Sequence, residues 1–262
     1  MTFSIVAHCP RTGQLGVAVS TAVPAVGAMC PFSRARVGAV STQSWVNPYL
    51  ATRALDLIAS GLDAPTALEC VLQSDQAKQL RQIGIVDSQG RAAVWSGSDC
   101  TSWTGDILGA GYSIQGNMLV SGETLTAMQT AFVESSAREL AERLMRALEA
   151  GQHAGGDKRG RQSASLSVYE NEDYPLWDLR VDEHSEPVAE LRRVFNVAAL
   201  QLIPFVRGMP TRNGAGAPAP QHVVEMLALS PALRPGGSLN PALRPGVSLN
   251  PALRPGDSDD NR

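Results

Sequence analysis

Thr2-Phe3-Ser4-Ile5-Val6-Ala7-His8 alternates, with Phe3, Ile5 and Ala7 on one face and Thr2, Ser4, Val6 and His8 on the other, the period-2 pattern of a strand. Pro10-Arg11-Thr12-Gly13 supplies turn residues before a second apolar run at 15–20, so the two segments read as a hairpin. A turn centred near Thr12 brings the region of Ser20 to Ala22 opposite Thr2 in antiparallel pairing. Residues 37–43 (VGAVSTQ) make a third strand.

Two helices are expected next. One lies near 51–60 and stops at Gly61; the other lies near 64–73, capped by Asp63 with Pro65 in its first turn. IGIVD and RAAVWS flank Ser88-Gln89-Gly90 as a second hairpin, and a further strand near 111–116 ends at Gln115-Gly116-Asn117. A helix at about 122–134 precedes one opened by the capping box Ser136-x-x-Glu139, whose Leu140, Leu144 and Leu148 face a core. Strands near 163–169 and 176–182 follow. Ser185 with Pro187 then opens a last helix, with Val188, Leu191, Phe195, Ala198 and Leu202 as its apolar face. Strands come in runs separated by pairs of helices, which favours antiparallel sheets in layers over a parallel doubly wound sheet. The order fits an α+β fold, of which a four-layer α-β-β-α sandwich is the simplest form, over residues 2–208.

From about Met209 the composition shifts to Gly, Ala and Pro, and PALRPG starts at Pro231, Pro241 and Pro251. Residues 209–262 are therefore expected to form a disordered tail. The 262 residues carry a formal net charge of −3 and a pI near 5.8, so no electrostatic pull toward nucleic acid or anionic membrane is expected. With neither a leader pattern nor an apolar stretch approaching about 20 residues, a cytoplasmic address is expected, with a homodimer compatible with the sequence. Cys9, Cys30, Cys70 and Cys100 lie far apart without a C-x-x-C and read as buried free thiols.

Four groups of residues bear on chemistry. Thr2 is a small residue directly after the initiator Met, a context in which Met1 is usually removed. An N-terminal Thr then serves as nucleophile with its own α-amine, of ordinary pKa about 7.7–8.0, as base. Gly155-Gly156-Asp157-Lys158-Arg159-Gly160-Arg161-Gln162-Ser163 is a glycine-rich, basic loop that reads either as an anion-binding nest or as a turn with solvated charges. Gln43, Asn47 and Gln115-Gly116-Asn117 offer amide donors for an oxyanion hole, and serve equally as turn and cap residues. Asp178-x-Arg180-x-Asp182-x-His184 places four side chains on one strand face; the Arg in its midst makes an ion-pair ladder simpler than a metal site. No metal or other cofactor is expected. A cysteine enzyme using Cys9 or Cys30 is a further alternative.

With these residues in hand, the sequence resembles the bacterial family known as domain of unknown function 1028, assigned to the N-terminal-nucleophile hydrolase-like superfamily. The likeness covers about residues 2–205. It rests on Thr2 to Ala7, Gly16-Val17-Ala18-Val19, Pro24 to Ala28, Val37-Gly38-Ala39-Val40 with Thr42-Gln43, Gly116-Asn117, Ala154 to Asp157, Arg159 to Ser163, and Arg180-Val181-Asp182 with His184. The resemblance implies a four-layer sandwich whose first strand begins at the nucleophile, and amide-bond hydrolysis as the typical reaction. Better-known members of the superfamily often add a lysine near the nucleophile, whereas Lys78 and Lys158 here lie off the early strands. The leading expectation is hydrolysis of an amide or related C–N bond in a small molecule or short peptide. In it Thr2 attacks, Asn117 and Gln43 provide oxyanion or substrate contacts, Asp157, Arg159 and Arg161 position the terminal amine or a substrate carboxylate, and Asn47 and Ser163 also bind the substrate. The alternative is a non-catalytic protein of the same fold that binds an anion or other ligand, or serves as a scaffold.

Overall fold

The computed structural model describes residues 2–216 and 219–236. Its first hairpin has the expected register: β1 (Thr2–His8) pairs antiparallel with β2 (Leu15–Thr21), Thr2 lying opposite Thr21. These two strands are the centre of a six-stranded antiparallel sheet ordered β10-β9-β2-β1-β8-β7. The remaining members are β7 (Gly105–Gly109), β8 (Tyr112–Asn117), β9 (Ser163–Tyr169) and β10 (Trp177–Val181). A second antiparallel sheet is ordered β3 (Pro31–Arg34), β4 (Gly38–Ser44), β5 (Arg81–Asp87), β6 (Ala92–Ser96).

Alternation along β1 sorts its side chains between two interiors. Phe3, Ile5 and Ala7 enter a core shared with α3 (Glu123–Glu134), α4 (Leu140–His153) and α5 (Pro187–Gln201), whereas Val6 joins Leu15, Val17, Ala39 and Val86 between the sheets. On the outer face of the second sheet, α1 (Pro48–Ala59) and α2 (Ala64–Gln73) pack on Val40, Ile83 and Ile85. Helices, sheet, sheet and helices make the four-layer α-β-β-α sandwich. Asp63 caps α2 as expected, its carboxylate accepting from Thr66 N at 2.8 Å.

Four local expectations are corrected. The edge strands β3 and β7 escaped the sequence reading. One starts at a proline and is four residues long, and the other runs between glycines with Leu108 exposed, so neither carries a two-faced apolar pattern. Ser136 does not cap α4. The helix starts after Glu139, and the turn before it is closed by the Arg11 guanidinium, which donates to the carbonyls of Ser136 and Arg138 at 3.1 and 2.6 Å. Leu202 lies beyond α5 and is exposed. Within the segment assigned to a disordered tail, Gln221–Ala228 forms α7, which follows the single turn α6 (Ile203–Val206). QHVVEMLA lacks Gly and Pro, and Val223 is buried. The first PALRPG copy also meets the fold, Gln201 Nε2 donating to Pro235 O at 2.9 Å. The second and third copies lie outside the described residues. Among the described residues, no helix is long and apolar enough to cross a membrane.

Candidate functional site

Thr2 stands at the end of a central strand, flanked by Thr21 on β2 and Asn117 on β8. Thr2 is buried, and its hydroxyl shares a hydrogen bond with Thr21 Oγ1 at 3.2 Å. Ser4, on the same face, points at the second sheet: its hydroxyl donates to Gln43 Oε1 at 2.7 Å and accepts from Gln115 Nε2 at 2.5 Å. Behind Thr2 the sandwich interior is thus polar but uncharged.

The side-chain amides there form a closed network. Gln43 Nε2 donates to Thr2 O at 3.2 Å, Gln82 Oε1 at 2.8 Å and Gln115 O at 3.3 Å. Asn117 Nδ2 also donates to Gln82 Oε1, at 2.9 Å, while Gln82 Nε2 reaches Ser96 Oγ, Gly105 O and Gly116 O at 2.8 to 3.1 Å. Gln43, Gln82 and Gln115 are wholly buried. An amide in a dry interior is tolerated only when its hydrogen bonds are made, and Gln43 and Gln82 make theirs across both sheets. The sheets approach so closely that a Cβ at Gly84 would collide with Gln115 Oε1 and Ser113 Oγ, so the glycine in IGIVD is required by the network.

The sequence-predicted residues divide accordingly. Gln43 faces Gln82 and the backbone of β1 and β8. Both its amide hydrogens are engaged within the protein, one of them by the carbonyl of Thr2. Asn117 lies beside Thr2 and keeps one amide hydrogen without a partner among the described residues. Asn47 is a helix cap: its Oδ1 accepts from Tyr49 N at 3.2 Å and its Nδ2 donates to Asp75 Oδ2 at 3.3 Å. Ser163 is buried and pins the loop after β2, donating to Val23 O at 2.6 Å and accepting from Val26 N at 3.1 Å. Gln82, which ties Asn117 to Gln43, was missed; it is the second residue of β5, directly before the run Ile83-Gly84-Ile85-Val86, where a polar residue reads as a strand end.

The loop at 155–163 closes over the same end of the sandwich, with Gly155 and Gly156 in left-handed conformations that free it from α4. Asp157 is buried, accepting from Ala22 N at 3.1 Å and Arg159 N at 2.9 Å, and Ala22 directly follows Thr21. Its cations are committed: Arg159 to Asp157 at 3.4 Å, Arg161 to Glu186 at 2.8 Å, and Lys158 Nζ to Ser102 O at 2.8 Å. A site for a substrate carboxylate built from Asp157, Arg159 and Arg161 is therefore not preformed.

The other candidates lie elsewhere. Arg180 pairs with Asp178 at 3.2 Å, and His184 Nδ1 accepts from Glu186 N at 2.9 Å just before α5. Among the described residues, no group of three or more His, Cys, Asp or Glu is placed to hold a metal ion. Burial pushes the Cys30 thiol up to about 12, so it stays protonated at neutral pH. Cys9 sits in the β1–β2 turn, at the far end of β1 from Thr2. Burial raises its thiol, but hydrogen bonds with Thr12 and Arg11 outweigh that and hold it below the usual value. Cys70 is exposed, unlike the other three.

A family model described as a family of unknown function, DUF1028, matches residues 2–191. The crystal structure of protein SPO2555 from Silicibacter pomeroyi, of the DUF1028 family, is similar over 84% of this chain and 97% of that chain, with a TM-score of 0.77 and 28% identity. Looser likenesses are to Thiobacillus denitrificans BPH (TM-score 0.35, 12% identity, 66% of this chain and 100% of that one) and to Anbu, an ancestral beta-subunit, from Yersinia bercovieri (TM-score 0.38, 8% identity, 75% and 94%). No curated protein matches the chain.

Proposed function

The chain belongs to the DUF1028 family, and we propose that it hydrolyses an amide or related C–N bond in a small molecule or short peptide, with Thr2 as nucleophile. The observation that carries this reading is the setting of Thr2: its hydroxyl meets Thr21 Oγ1 at 3.2 Å, while its carbonyl is fixed by Gln43 at 3.2 Å. A reacting group held from behind by a rigid neutral network is positioned without a charge that would perturb it.

Removal of Met1 would leave the Thr2 α-amine as the base, ordinarily about half protonated near pH 7.7–8.0. The amine takes the hydroxyl proton as Oγ1 adds to the carbonyl carbon, and the negative charge moves to the carbonyl oxygen. The unpartnered amide hydrogen of Asn117 is the donor proposed for that oxygen. Collapse breaks the C–N bond, the ammonium returns its proton to the leaving amine, and an ester on Thr2 remains. Water, deprotonated by the same amine, hydrolyses the ester and restores the hydroxyl.

The non-catalytic alternative gains nothing from the loop at 155–163, whose Lys158, Arg159 and Arg161 are already bound within the protein. The test is intact mass for Met1 removal, then turnover of a panel of small amides by wild type and Thr2→Ala. The expected loss is about a thousandfold or more, with the wild-type rate rising as pH passes roughly 7.7–8.0. Hydrolysis that survives the substitution refutes the mechanism.

A further inference from the structure

Large apolar side chains left in water gather around the end of the sandwich where Thr2 lies. Trp45 and Tyr49 are 68% and 70% exposed, Val120 is 56% and Trp103 is 41%. Each belongs to a segment that leaves the network around Thr2. Trp45 is two residues beyond Gln43, and Tyr49 lies in the first turn of the helix that follows. Trp103 O accepts from Leu119 N at 3.0 Å, two residues beyond Asn117, and Val120 N donates to Gly156 O at 3.0 Å.

The two indoles are mounted on fixed backbone. Ser44, with a left-handed φ of 69°, turns the chain out of β4, and both main-chain groups of Trp45 are then taken, N–H by Leu80 O at 3.2 Å and C=O by Arg81 Nη1 at 2.7 Å. The Trp103 ring lies over Gly105 and Gly122, where a Cβ would stand 2.6 and 2.7 Å from it. Exposed apolar patches of this kind mark binding surfaces, and a tryptophan gives large contact area with little rotamer entropy to lose. Of the cations nearby, Arg81 pairs with Asp75 at 2.8 Å, Lys158 and Arg159 are bound as described, and the Arg53 guanidinium lies 6.0 Å from the centre of the Tyr49 ring.

We infer that Trp45 and Trp103, one from each sheet's side of the Thr2 end, form the specificity rim of that site and select amides that carry an uncharged apolar group, such as an aromatic ring. This rests on the hydrolase reading for its location but not for its test. Binding is measured on Thr2→Ala by tryptophan fluorescence with phenylacetamide, acetamide and phenylacetate. Phenylacetamide is expected to bind at least about tenfold tighter than acetamide, the advantage of burying one ring, and tighter than phenylacetate. Trp45→Ala and Trp103→Ala, each placed in the Thr2→Ala background, should erase most of that advantage, with cooperative melting above the assay temperature showing that each variant is folded. Equal binding of the two amides, a preference for phenylacetate, or full retention in both variants overturns the inference. So does a wild-type dimer that Trp45→Ala converts to monomer while phenylacetamide fails to bind, since the rim is then an interface between copies. If phenylacetamide binds as stated but wild type turns over no amide, the rim stands and the hydrolase reading fails.

Discussion

Replacing Gln43 with Leu keeps nearly the same volume between the sheets and deletes the amide that joins them. Five hydrogen bonds disappear: those to Thr2 O, Gln82 Oε1 and Gln115 O, at 3.2, 2.8 and 3.3 Å, that from Ser4 Oγ at 2.7 Å, and the long one from Ser41 Oγ at 3.4 Å, which adds little to the four. Two of the stranded atoms keep another partner, since Gln82 Oε1 still accepts from Asn117 Nδ2 and Ser4 Oγ still accepts from Gln115 Nε2. Each loss then lies near the net value of about 1 kcal/mol rather than the full penalty for a buried orphan, giving about 4 kcal/mol in all. Added apolar burial returns about 1 kcal/mol, leaving about 3 kcal/mol. For a domain of this size that is a fall in Tm of about 6–12 °C. Circular dichroism melts measure it, with guanidinium unfolding at unchanged m-value as the check that only stability moved. Ser41→Ala, which removes a single 3.4 Å contact to Gln43, is the control and should shift Tm by less than about 2 °C. If Gln43→Leu falls no further than that control, the network does not hold the sheets together and the account of Thr2 positioning fails with it.

Gly84→Ala tests the same interface by addition: its methyl group strikes Gln115 Oε1 and Ser113 Oγ, and the expected destabilisation of about 1–3 kcal/mol appears as a lower guanidinium midpoint, whereas an unchanged midpoint shows that the sheets can part at no cost. On the opposite layer, burial raises the Glu142 carboxyl, but Arg192 at 2.7 Å and Arg146 at 2.7 Å overcome this and hold it below the usual glutamate value. Its stabilisation is therefore complete above the unfolded value of about 4.3 and lost as pH falls through the lower folded value. Arg192→Met should lower stability at pH 7 by about 1–2 kcal/mol, discounted for partial exposure, and flatten the loss of Tm between about pH 5 and 3; equal acid slopes in the two proteins count against this ion pair.

How much of this was legible in the sequence depends on the distance over which each feature is decided. The alternation of β1 and the turn at Pro10 to Gly13 are local, and they place Thr2 opposite Thr21 correctly. Asp63 and Pro65 likewise mark the start of α2 within a residue. The failures are set from outside the segment. Ser136 reads as a cap until Arg11, more than a hundred residues away, takes the carbonyls of that turn. Val223 becomes a buried residue only because its helix has α5 to lie on. At the site, residue types and neighbourhood were readable, but the availability of their donors was not. Whether Gln43 faces a ligand or Gln82 depends on the spacing between two sheets, and nothing in VGAVSTQ encodes that spacing except through Gly84 on the next strand.

The neutrality of the network has a chemical consequence. Charged residues in that interior would each demand a partner and would titrate against one another; Gln43, Gln82, Gln115 and Asn117 bind one another without changing protonation. Among the described residues the Thr2 side chain hydrogen-bonds with Thr21 alone. A threonine hydroxyl beside another threonine gains no base from it, since the second hydroxyl is as weak an acid and as weak a base as the first. The buried carboxylate of Asp157, tied to Ala22 beside Thr21, already accepts from Ala22 N, Arg159 N and the Arg159 guanidinium. In the mechanism proposed for Thr2 the base is the residue's own amine, so that reactivity depends on the removal of Met1.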